Sequence, residues 1–204
     1  MKKWDFRKIK LKSVKIEELD DRLLLINLYV TQLLTLALGL IITFFQKNEI
    51  WKQFPIRVPE MFYWGVGLAA AVLITDILVS RFVPEDISDD GGINDMMFAK
   101  RPLWHIAVIC LVVAFCEEIL FRGAVQHAFG PYWTSILFAA IHVRYLQHWL
   151  MTGLVFSISY GLGFIYVHTG TLWAPVIAHF IIDFVMGCII RYRDKKDKNA
   201  KEQG

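Results

Sequence analysis

The chain has 204 residues, enough for one domain of ordinary size, with 56% apolar and 20% charged residue types. Its net charge of +3 does not indicate a nucleic-acid partner, because eight of the 22 Lys and Arg residues lie within residues 1–22 and six within 191–204. A strongly apolar middle flanked by basic ends is the distribution of a membrane protein.

In chain order, residues 1–22 form a basic segment. Residues 2–15 are too long and too charged for the n-region of a secretory signal, and no small-residue cleavage site follows. Trp4 to Leu19 mixes apolar residues with lysines, which suits an anionic membrane surface or a solvated tail. Leu23 to Phe45 is an uncharged run of 23 residues, long enough to cross a bilayer as a helix. Met61 to Ser80 is a second run, charged only at Asp76, and Leu103 to Phe121 is a third. Tyr132 to Val143 has only 12 residues, a length that fits a re-entrant or protein-buried helix as well as a crossing. Gly130 marks its start and Pro131 suits its first turn. Trp149 to Val167 and Leu172 to Ile190 complete the set, separated by the turn "HTGT". Gly153, Ser157 and Gly161 form a small-residue stripe, read as a packing surface for another helix. Cys110, Cys116 and Cys188 lie in apolar segments without metal-binding spacing and are expected as free buried thiols.

The expected fold is therefore all-α, a polytopic transmembrane helix bundle of about six helical segments, one of them short or re-entrant. Four regions are expected: the basic segment 1–22, N-terminal helices and loop 23–102, a core 103–190 and a basic tail 191–204. An even number of crossings puts both termini on one side, and their basic charge places that side in the cytoplasm. The loop from Arg81 to Arg101 joins them there; its acids, Glu85, Asp86, Asp89, Asp90 and Asp95, count little for topology.

The ionisable side chains inside the apolar segments are few: Asp76, Glu117, Glu118, Arg122, His142, His179 and Asp183. An acid at the bilayer centre costs on the order of 2.5–3.5 kcal/mol, which forces such groups inward, into pairs or into a wet cavity. Glu118 and Arg122 are four apart on one helix face and can pair. Glu117 is turned by about 100° from Glu118 and can meet a different partner. Phe138 and His142 are four apart, as are His179 and Asp183. A carboxylate with two imidazoles from three helices can activate water, through a metal or by direct general-base catalysis. Asp76 stands alone in its helix and is expected to bond a neighbour or line the cavity, with no catalytic role. His105, His127, His148 and His168 sit near segment ends and read as interfacial.

These residues match three spaced motifs: Glu-Glu-x-x-x-Arg in "EEILFR", Phe-x-x-x-His from Phe138 to His142, and His-x-x-x-Asn/Asp from His179 to Asp183. With "EEILFRG" and "TGTLWAPVIAHF" as the most specific stretches, the chain resembles the CAAX protease and bacteriocin-processing family of intramembrane proteases. Type II CAAX prenyl endopeptidases belong to it. The resemblance covers about Leu103 to Ile190 and not the first two helices.

It implies an intramembrane endopeptidase, with Glu117 and His142 activating water and His179 supporting the tetrahedral intermediate. Glu118 and Arg122, with Phe138 of the second motif, would hold the site together. Asp183 departs from the commoner Asn. Ionised, it cannot donate to an oxyanion, so it is either protonated or orients and charges His179. Glu117, His142 and His179 would also suit three zinc ligands with an open position. The His-Glu-x-x-His spacing of common zinc proteases is missing, and no obligatory metal is expected, with Zn2+ as the alternative. The expected partners are membrane lipid and a peptide or membrane-protein substrate, and the expected location is a bacterial cell membrane. A non-catalytic role such as bacteriocin self-immunity, or a proton-coupled transporter, are the competing functions. No repeated halves or paired broken helices favour the transporter.

Overall fold

The computed structural model describes residues 20–82, 92–143, 146 and 148–202. The segment Trp4 to Leu19, and Glu85, Asp86, Asp89 and Asp90 of the acidic loop, lie outside the described residues.

The described elements are helical throughout: α1 (Asp21–Phe45), a 3₁₀ turn (Ile50–Gln53), α2 (Val58–Phe82), a short α3 (Ile93–Phe98) and α4 (Leu103–Glu118). A π-helical segment (Ile119–Val125), α5 (Gln126–Ile141), α6 (Trp149–Thr169) and α7 (Trp173–Glu202) follow. The bundle is apolar outside and holds polar groups within an apolar core. In α1, Leu33 and Leu34 are 66% and 65% exposed, while Gln32 and Thr43 are buried. A water-soluble helix does the opposite; this arrangement suits a lipid solvent that offers no hydrogen bonds.

Five helical stretches are long and apolar enough to cross a bilayer. One of them, Leu103–Ile141, has 39 residues. As a straight helix it would be about 58 Å long, nearly twice a hydrocarbon core of about 30 Å. It breaks at Gly130, whose φ of 72° and ψ of 171° are far from helical. Glycine adopts that φ without the Cβ penalty other residues bear. Pro131 restarts the helix, and the remaining 131–141 portion is only about 16 Å long. This is the short segment expected from the sequence, and it is a half-length helix that does not cross by itself.

Close approaches fix how the helices sit. At Gly39 a Cβ would stand 3.0 Å from Leu120 Cα, so α1 lies directly on the π segment. At Gly65 a Cβ would stand 2.9 Å from the Ala174 carbonyl oxygen, so α2 lies equally close to α7. The expected stripe on α6 performs this role only in part. Gly161 faces Leu68 of α2, but Gly153 has nothing near it and Ser157 borders a cavity.

One end of the bundle gathers around Gln53. Its carbonyl accepts from Leu172 N at 2.8 Å and its side-chain oxygen from Tyr166 Oη at 3.2 Å. The opposite end gathers around Arg101, which donates to Asp21 at 2.5 Å and accepts at its carbonyl from Arg191. The start of α1 and the far end of α7 therefore share a face. α7 continues as one helix through the basic end to Glu202, and Arg193 stands 3.6 Å from Asp95 of α3.

Candidate active site

α4 delivers Glu117 and Glu118 at its last turn, and the π segment follows at once. A π-helical turn holds one extra residue and is a common local device at functional sites. Here it buries six consecutive residues, Ile119 to Ala124, including Arg122.

The innermost group is an ion cluster. Glu118 and Arg122 are both fully buried, and Arg122 Nη1 donates to Glu118 Oε1 at 3.0 Å. The same oxygen accepts from His179 Nδ1 at 2.8 Å. Arg122 Nη2 donates to the Ser159 carbonyl and hydroxyl, each at 2.9 Å, and the guanidinium lies 5.1 Å from the centre of the Phe138 ring. Glu118, Arg122, Phe138 and His179 thus form one packed unit contributed by α4, the π segment, α5 and α7. Each buried charge has an opposite partner, which is what makes its burial tolerable.

The remaining predicted residues face a cavity of about 520 Å³, lined by Glu117, His142, His179 and Asp183 together with Phe138 and Gln32. Glu117 does turn to a partner of its own: Gln32 Nε2 of α1 donates to its Oε1 at 3.1 Å. His142 ends α5, and its Nδ1 is 2.7 Å from the Phe138 carbonyl oxygen. A carbonyl only accepts, so Nδ1 carries the hydrogen and Nε2 is the acceptor of the neutral ring. His179 Nε2 stands 3.4 Å from Asp183 Oδ2. Both neighbours of this ring are carboxylates, and the arrangement is satisfied when both nitrogens bear hydrogen.

Glu117, His142 and His179 are not gathered as a metal ligand set. Among the described residues no three His, Cys, Asp or Glu side chains stand close enough to hold one ion. His179 has a carboxylate at each ring nitrogen.

Gln32 and Ser159 are site residues that sequence reasoning missed. Gln32 is one of two amides in its uncharged span, with Asn27, and nothing in the sequence singles it out; a serine among small residues gave no signal for Ser159 either. Asp76, expected to bond a neighbour or line the cavity, does line it. His105 and His168 engage Tyr29 and Trp64 away from it. The cysteines are free, with Cys110 and Cys116 buried and Cys188 only partly so.

Residues 99–185 match the family model described as type II CAAX prenyl endopeptidase Rce1-like. A relative from Bacillus subtilis, "Uncharacterized protein YpbD", is 41% identical over 183 residues, covering 85% of this chain and 96% of the relative. That likeness reaches beyond the core into the N-terminal helices, where the motifs alone gave no resemblance. No solved structure matches. With all three motifs on one site and a relative matched over nearly its whole length, the chain belongs to the Rce1-like, CAAX-protease family of membrane proteins.

Proposed function

We propose that the protein is an intramembrane endopeptidase that hydrolyses a membrane-associated peptide or membrane protein. The observation that carries this reading is the shared cavity: Glu117, His142, His179 and Asp183 line one space inside an apolar bundle. Such a space can hold a water away from bulk solvent, where a carboxylate base works on it directly.

Glu117 takes a proton from the water as its oxygen attacks the carbonyl carbon, and His142 Nε2 holds the water by accepting its second hydrogen. The developing oxyanion is met by His179 Nε2–H, whose 3.4 Å contact to Asp183 is the looser of its two and yields to it. Asp183 then orients and charges His179, and Glu118 with Arg122 fixes the ring from the other side. As the C–N bond breaks, the proton held by Glu117 passes to the leaving amine. No metal is required in this scheme.

The setting is a bacterial cell membrane with both termini in the cytoplasm. The apolar exterior, the basic ends and the origin of the relative support it. Membrane lipid and the substrate are the partners, and nucleic acid has no part.

The test compares membrane peptide profiles of cells carrying the wild type and Glu117→Gln. Fragments that disappear with Glu117→Gln are expected; identical profiles at equal protein abundance would remove the protease reading.

A further inference from the structure

Gln32 is the one long side chain that α1 buries, the other buried residues of this 25-residue helix being Gly39 and Thr43. All three lie on one face, since residues seven and eleven apart complete close to two and three turns. Gly39 brings that face onto the π segment, its missing Cβ leaving room for Leu120. Two turns earlier the same approach carries the Gln32 amide to Glu117.

The side chain is 7% exposed, and its Oε1 is buried without a hydrogen-bond partner. An ionised carboxylate only accepts, so the NH₂ group must be the one that faces Glu117. Leaving a buried acceptor unpaired is unfavourable. The one bond the side chain makes is the donation to Glu117 Oε1. Packing or helix formation would be served better by leucine, which surrounds it in sequence.

We infer that Gln32 is a positioning residue for hydrolysis: it pins Glu117 Oε1 from a helix outside the motif-bearing core, so that Oε2 faces the water. This rests on the reading of Glu117 as the base. A donor on one carboxylate oxygen fixes the plane of the group.

The test uses the full chain in detergent micelles, treated with dicyclohexylcarbodiimide, which modifies protonated carboxyls in apolar surroundings. Fragment mass spectrometry separates label on Glu117 from label on Glu118. Gln32→Met, close in volume and without a donor, should label at Glu117 about tenfold faster than the wild type, the order of one lost charge-assisted hydrogen bond. Glu118, which does not touch Gln32, should label as before. Unchanged labelling at Glu117, or an equal rise at both acids, would overturn the assignment. Gln32→Leu serves if Gln32→Met folds poorly. In cells, Gln32→Met at equal abundance should also lose the fragments that depend on Glu117. If those fragments persist, Gln32 holds Glu117 without serving the reaction. If Glu117→Gln itself changes no fragment, it is the protease reading that falls, and the labelling still decides whether Gln32 governs Glu117.

Discussion

At the scale of single residues, the two adjacent glutamates have separate environments, and substitutions should separate them further. Glu117→Gln keeps shape and removes the base, so cleavage should fall by roughly 10²–10⁴-fold with little change in folded amount. Arg122→Ala leaves Glu118 buried without its guanidinium, a loss on the order of 3–5 kcal/mol. Lower abundance and a lower melting temperature in detergent should therefore accompany its lost activity. Misfolding of Glu117→Gln to the same degree would undo the distinction. Asp183→Asn keeps an oxygen that can accept from His179 Nε2, so it should retain more activity than Asp183→Ala when cleavage rates are compared. The pairing of Glu118 with Arg122 was legible in the sequence because four residues make about one helical turn. The Gln32–Glu117 contact was not, because it joins residues 85 apart. No periodicity within one helix encodes which neighbour it will meet.

At the scale of elements, two glycines of α2 test what sets helix spacing. Gly65→Ala would drive a methyl into the Ala174 carbonyl and Ile177 of α7, an overpacking loss of about 1–3 kcal/mol. Gly67→Ala meets nothing within 4 Å and should be neutral or stabilising by up to about 1 kcal/mol. Thermal unfolding of the two variants in one detergent measures the difference, and equal midpoints would show that the α2–α7 approach is not limiting. "YWGVG" gives no hint which glycine matters, since both sit in the same apolar surroundings. The boundaries of α1, α2 and α6 were readable to within a few residues from their apolar runs. The π segment was not, because the run "ILFRGAV" carries no mark of an extra residue per turn. The continuation of α7 through the lysine-rich end was equally hidden. Charge ended the apolar run there, but charge does not end a helix.

At the scale of the whole molecule, the meeting of Asp21, Arg101 and Arg191 predicts that reporters fused to the two termini respond from the same side of the membrane. Opposite responses would mean that the chain from Gly130 to His148 does not carry it across. Activity of purified protein should survive strong chelation; loss restored by zinc would make Glu117, His142 and His179 ligands instead.

The half-length α5 has a further consequence. Its end lies one turn beyond Phe138, which packs on the buried Arg122, so the helical ladder stops at the depth of the ion cluster. Lipid cannot satisfy the peptide groups that follow, and only protein or water can. Hydrolysis consumes a water at each turnover, and a membrane interior is poor in that reactant. Under the proposed hydrolysis, the early end of α5 at His142 gives water a route to the site. Backbone amides at 141–143 should exchange hydrogen with solvent much faster than those at 155–165 within α6. Equal protection in the two stretches would place the water's route elsewhere.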